Sequence, residues 1–189
     1  MIAPAATDDA ALVARTLAGD DAAFPILMER HRAAVFRVLH GHVGDTDAAL
    51  DLTQESFLAA WRGLARYDPR QPFRPWIMRI AINKARDRAR RRAVRAFFTF
   101  AQPIEAANQQ ADPLGDIAAA AESREAIGRL AAAIATLPAS LKEPLLLRAV
   151  EELSGAETAR ALGISEKAVE MRLYRARARL KEILTAGEG

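Results

Sequence analysis

The chain has 189 residues, with 27 Lys and Arg against 24 Asp and Glu and a formal net charge of +3, which allows one ordinary domain or two small ones with modest cores. It contains no cysteine, which excludes a disulfide framework, a thiolate zinc site and a thiol redox switch. The opening "MIAPAATDDAAL" lacks a charged start followed by an apolar core, and no run approaches the roughly twenty apolar residues of a membrane span, so a soluble, cytoplasmic protein with no membrane insertion is expected.

Apolar residues recur at three- and four-residue spacings, alanine is abundant, and alternating β-branched runs are missing; the expected fold class is all-α. A first block covers residues 1–95. "DDAALVARTLAGD" reads as a short helix, acidic at its start and ended by Gly19, after which Asp20 or Asp21 can cap the next one. That helix, "AAFPILMERHRAAVFRVLH", carries Pro25 in its first turn, where the missing N–H is harmless. His40, His42 and Asp45 in "HGHVGD" suggest metal ligands, but no further histidine or cysteine stands at a ligand spacing; a polar interhelix turn is the better reading, and neither a metal nor a cofactor is expected.

"DTDAALDLTQESFLAAWRGL" follows as a helix, then the turn-rich loop "ARYDPRQPF", then "RPWIMRIAINKARDRARRR", which begins amphipathic and ends almost purely basic. Residues 96–122 lack a stable period and contain acids but no lysine or arginine, so they read as a linker. Within it "FFTF" reads as the end of the first block's core or, if exposed, as a docking patch.

The second block covers residues 123–189. "SREAIGRLAAAIATLP" is a helix stopped by Pro138, and "SLKE" reads as a capping box in which Ser140 caps and Glu143 reaches back, leaving Pro144 in a first turn. "LSGAETARALGIS" supplies a short helix and a tight turn at Gly163, and "GISEKAVEMRLYRARARL" supplies the last helix; two short helices joined through a glycine turn form a helix-turn-helix pattern.

If Ser165 caps the last helix, Val169, Leu173, Ala176 and Leu180 form its buried stripe. The opposite face then carries Lys167, Met171, Tyr174 and Ala178, with Arg172 and Arg175 on one flank and Glu170 and Arg177 on the other. Such a face has donors for phosphates and mixed side chains for base edges, although a solvated basic face would look the same. In "RPWIMRIAINKARDRARRR", Phe73, Ile77, Ile80 and Lys84 share one side, while Arg79, Asn83, Arg86 and Arg90 gather on another. One amide amid three arginines suits a nucleic-acid groove. Tyr67, in "YDPRQ", is either an exposed ring that stacks on an unpaired base or a ring packed under its own loop.

Three stretches, "ALDLTQESFLAAW", "PFRPWIMRIAINKARDRARR" and "LPASLKEPLLLRAVEELSGAETARALGISEKAVEMRLYRARARL", together resemble the bacterial sigma factors of the extracytoplasmic-function group, from about residue 23 to 95 and from about residue 129 to 184. The resemblance implies sigma region 2 and sigma region 4 joined by a flexible linker, acting as the promoter-specificity subunit of RNA polymerase. It implies that Leu50, Phe57 and Trp61 are buried while Asp51, Gln54, Glu55 and Leu58 point outward to grip the polymerase β′ clamp helices, with the β flap as the second block's contact. It implies that Asn83 and the loop around Tyr67, flanked by Arg79, Arg86 and Arg90, meet the minus-ten element, including a base turned out of the stack. For the minus-thirty-five element the matching positions are Lys167, Ala168, Glu170, Met171 and Arg175, with Tyr174 on the same face and Arg172 and Arg177 on phosphates.

Three features depart from the group. Glu170 stands where many relatives have arginine, and a carboxylate accepts from a cytosine amino group and repels phosphate. Pro25 and Pro144 interrupt helices usually left uninterrupted, and "SGAET" is a weaker helix start than usual. The linker, free of basic residues, suits a strand threaded through the positively lined polymerase cleft. No catalytic residue is expected, because the polymerase supplies the chemistry. An anti-sigma factor is the implied regulatory partner. Two other readings compete: a sigma-like decoy adapter that occupies an anti-sigma protein without engaging promoters, and an ordinary helix-turn-helix regulator. The first has no need of Asn83 or the arginines, the second none of the face at Asp51 to Glu55.

Overall fold

A computed structural model of the chain describes residues 8–98 and 119–186, and every described element is helical. The order is α1 (Asp9–Leu17), α2 (Ala23–Val43), α3 (Thr46–Gly63), a 3-10 turn (Leu64–Arg66), α4 (Phe73–Phe98), α5 (Ala119–Thr136), α6 (Ala139–Leu145), a π turn (Leu146–Val150), α7 (Gly155–Leu162) and α8 (Glu166–Ala186). The stretch read as a linker is helical at both ends, with residues 96–98 closing α4 and residues 119–122 opening α5; its residues 99–118, and with them the second half of the "FFTF" segment, lie outside the described residues.

Local chemistry explains most boundaries. Gly19 takes φ +92° just beyond α1, a conformation open to glycine at little cost. Asp20 accepts the Ala22 N–H at 3.0 Å, so it shapes the entry to α2, but Ala22 itself occupies the cap position without a side-chain bond. Pro25 is the third residue of α2, where no intrahelical donor is lost. α2 runs on to Val43, so His40 and His42 lie in its last turn rather than in a loop; Gly44 closes it in the left-handed region. Asp45 then caps α3, accepting the Ala48 N–H at 2.6 Å.

The second block corrects two expectations. Ser140 does not cap α6: the helix begins at Ala139 after Pro138, Glu143 is buried and turned away toward the first block, and Pro144 sits inside the helix. Pro144 has no N–H to donate back to the Ser140 carbonyl, and beyond it the backbone widens into the π turn, where the Glu151 N–H reaches the Leu146 carbonyl at 3.2 Å. The capping box lies instead at the start of α7, in the "SGAET" stretch read as a weak start. Ser154 Oγ accepts the Glu157 N–H at 3.2 Å, and the Glu157 carboxylate accepts the Ser154 N–H at 2.8 Å.

The first core unites α1 to α4 through Leu12, Leu27, Val35, Leu39, Leu52, Phe57, Ile77, Met78 and Ile82. His31, buried within it, meets Asp9 of α1 at 2.7 Å between Nε2 and Oδ2. Burial lowers its pKa, against an opposing pull from Asp9. A second core gathers Ala133, Leu137 and Leu145 with the α8 stripe. The two cores meet, because Leu147, Leu153, Ala161 and Leu162 of the second block pack into the first. α7 lies along α4, and α5, α6 and the π turn lie along α2.

Candidate nucleic-acid interface

The turn between α7 and α8 sets the exposed face of α8. Gly163 takes φ +68°, reversing the chain, and Ser165 Oγ accepts the Ala168 N–H at 3.2 Å as α8 begins. Val169, Leu173, Ala176 and Leu180 are all buried, as the helical wheel requires. Geometry then turns Lys167, Glu170, Met171, Tyr174, Arg175 and Arg177 to solvent, with Ala168 and Arg172 half-buried at the margins. Tyr174 is 71% exposed. Long cationic side chains around an aromatic and a thioether, at the N-terminal half of the second helix of a helix-turn-helix, suit a major groove.

On α4 the predicted face is divided. Asn83 and Arg79 are exposed, and Arg79 lines an open cleft of about 760 Å³ with Trp76, Arg160, Ser165 and Glu166. Arg90 pairs with Asp87 of its own helix. Arg86 is turned toward the second block, where its Nε donates to Glu143 Oε1 at 2.8 Å and its Nη2 to Oε2. His42 Nε2 approaches the same carboxylate at 3.4 Å. Burial pushes the Glu143 pKa up, but Arg86 and His42 more than offset this and hold it below the ordinary 4.5. Lys142 donates to the Ala135 carbonyl at 2.7 Å, and burial lowers its pKa while Glu143 opposes the shift.

Tyr67 departs from the exposed-ring reading. It is 6% exposed, its hydroxyl donates to the Gln71 carbonyl, and its ring meets Phe73 and Trp76 at centroid distances of 5.7 and 5.1 Å. The loop folds over its own tyrosine because that contact buries an aromatic body and still satisfies the hydroxyl. Asp68 and Arg70 pair on the outer side of the loop.

α3 presents Asp51, Gln54, Glu55 and Leu58 to solvent, and Lys84 of α4 reaches Glu55 at 3.2 Å. Phe57 is buried as expected, but Leu50 and Trp61 are 47% and 44% exposed, contrary to the expectation that they pack inside. Trp61 and Phe24 pack in a T-shaped arrangement with ring centroids 4.9 Å apart, and much of Trp61 stays in solvent. Positions 50, 54, 58 and 61 follow one helical line, so Leu50, Leu58 and Trp61 add an apolar ridge to the acidic and amide groups. The opposite, buried face carries Leu52 and Phe57 among the small residues Ala49, Thr53, Ser56 and Ala60.

Among the described residues no helix is long and apolar enough to cross a membrane, and no cluster of three or more His, Cys, Asp or Glu has the arrangement of a metal site. Residues 27–95 match the family model for sigma-70 region 2, and residues 127–180 match that for sigma-70 region 4. The chain is 36% identical over 186 residues to the RNA polymerase sigma factor CnrH of Cupriavidus metallidurans, covering 94% of this chain and 95% of the relative. It is 33% identical to the ECF RNA polymerase sigma factor SigM of Mycobacterium tuberculosis, over 93% of this chain and 84% of the relative. Among solved structures, CnrH in complex with the cytosolic domain of CnrY superposes with a TM-score of 0.70 at 31% identity, covering 94% of this chain and 97% of the other. RpoE bound to the anti-sigma factor NepR from Bartonella quintana shares the fold, with a TM-score of 0.65 at 21% identity over 85% of this chain and 92% of the other.

Proposed function

Because the chain belongs to the sigma-70 family, and within it to the extracytoplasmic-function group, we propose that it is the subunit that directs RNA polymerase to a defined set of promoters in the cytoplasm, catalysing nothing itself. The observation that carries this reading is the pairing of two outward faces: α8 offers Lys167, Met171, Tyr174 and Arg175 beyond a capped turn, and α4 offers Arg79 and Asn83. Cations anchor phosphates, and the amide and mixed side chains discriminate base edges.

In this reading α8 reads the minus-thirty-five element through Lys167, Ala168, Glu170, Met171, Tyr174 and Arg175, while Arg172 and Arg177 hold phosphates. Asn83 and Arg79 meet the minus-ten element, joined by Arg86 when Glu143 releases it and by Arg90. The exposed ridge of Leu50, Leu58 and Trp61, bordered by Asp51, Gln54 and Glu55, is the surface for the β′ clamp helices, and the second unit meets the β flap. An anti-sigma factor controls the chain; the likeness to CnrH, bound to the cytosolic domain of CnrY, and the fold shared with the sigma factor RpoE, bound to the anti-sigma factor NepR, support this. Residues 96–122 thread the polymerase cleft, their lack of basic groups suiting its positive lining.

The test is to mix the purified chain with bacterial core polymerase and sequence the transcripts initiated on a genomic DNA library. Start sites sharing two upstream elements are the expected result. A folded chain that stimulates no transcription would overturn the reading and favour a decoy that occupies an anti-sigma protein.

A further inference from the structure

Two carboxylates of the second unit are each only 1% exposed, and both are neutralised by side chains of the first. Glu143 holds Arg86 of α4 and His42 of α2. Glu151 holds Arg37 of α2, at 2.8 and 3.1 Å, and Arg74 of α4, at 2.7 Å. Glu151 leads into a turn in which Glu152 takes φ +53°, a left-handed conformation that a non-glycine residue adopts only when its surroundings impose it. Between the two pairs the units touch at Gly41, where an added Cβ would stand 2.5 Å from Leu146 Cδ2.

We propose that Glu143 and Glu151 form a two-point ionic latch that holds the free chain closed and withholds Arg86 from nucleic acid, so that the chain engages a promoter only after unlatching. The inference rests on the promoter-recognition reading above, because only that reading requires the units to separate. Elements named for positions ten and thirty-five lie about 25 base pairs apart, or about 85 Å at about 3.4 Å per pair. A closed chain of this length has a radius of gyration of about 16 Å. It cannot lay α4 on one element and α8 on the other.

The chemistry of the latch makes it reversible. Enclosed ion pairs return little net stability, since desolvation cancels much of their attraction. A guanidinium that grips a carboxylate in two places grips a phosphate in the same way. Nucleic-acid phosphate therefore competes with Glu143 for Arg86, and separation of the units returns both carboxylates to water.

The chain contains no cysteine, so dye labels at Ala33→Cys and Ala178→Cys, both exposed, report the distance between α2 and α8 in the full-length protein without polymerase. A single short distance is expected for the parent. Glu143→Gln with Glu151→Gln should broaden and lengthen it, with about tenfold tighter binding to duplex DNA at low salt. Gly41→Leu provides an independent wedge that leaves both carboxylates in place and should also lengthen the distance, with helical circular dichroism retained. A parent that is already extended, or a distance that neither variant moves, would overturn the latch. Opened variants with unchanged DNA affinity would overturn the withholding of Arg86. If the variants open and bind DNA more tightly but neither they nor the parent stimulates polymerase, the latch stands and the promoter reading falls.

Discussion

Arg86 of α4 and Glu143 of α6 are 57 positions apart in the chain and share a two-point ion pair, with Nε to Oε1 at 2.8 Å. The carboxylate is fully enclosed, whereas about a third of the arginine side chain is exposed. Removing the arginine strands a buried charge, so Arg86→Ala should lower the stability of the closed chain by about 2 kcal/mol, less than for a fully enclosed pair. The melting temperature should fall by roughly 4–8 °C.

The same pair carries a pH dependence. The Glu143 pKa in the folded chain lies below the ordinary 4.5, held there by Arg86 of α4 and His42 of α2 against burial, with Lys142 of α6 alongside. A depressed carboxylate stabilises fully above its unfolded value, and that contribution is lost as pH falls through the folded value. The melting-temperature difference between the parent and Glu143→Gln should be full above the ordinary 4.5 and shrink as pH falls below it, through the lowered folded value.

Ser154 and Glu157 satisfy each other's backbone donors at the start of α7. Ser154→Ala should cost about 1 kcal/mol, and thermal melting should show a fall of roughly 2–4 °C. Ser140→Ala, at the position that only looked like a cap, should leave the melting temperature nearly unchanged.

Asn83→Ala should weaken promoter opening by about tenfold or more while leaving core polymerase binding intact. Asp51→Arg should do the reverse, and Trp61→Ala should follow Asp51→Arg because both lie on the exposed side of α3. Core pull-down and permanganate footprinting of the same variants separate the two effects; equal loss in the pull-down would contradict the division of labour.

On α8, Arg172→Ala and Arg177→Ala should weaken binding to all minus-thirty-five sequences alike and reduce the slope of log affinity against log salt by about 0.9 each. Glu170→Arg should instead change which bases are preferred, since it replaces an acceptor by a donor. Salt titrations against a randomised element distinguish a phosphate contact from a base contact.

Helical periodicity alone identified the two helical units, the stripe Val169, Leu173, Ala176 and Leu180, and the outward face of α8, because a lone helix buries whichever side its apolar residues occupy. The turn at Gly163 and the cap at Ser165 were equally legible, being backbone chemistry within a few residues. Three features depended on tertiary packing rather than on helical periodicity. Tyr67 is covered because Phe73 and Trp76 of α4 close over it, and Trp61, although it packs T-shaped with Phe24, stays about half in solvent. Glu143 looked like a local cap, yet a carboxylate goes where its strongest partners are, and Arg86 and His42 reach it only once the two units have packed together.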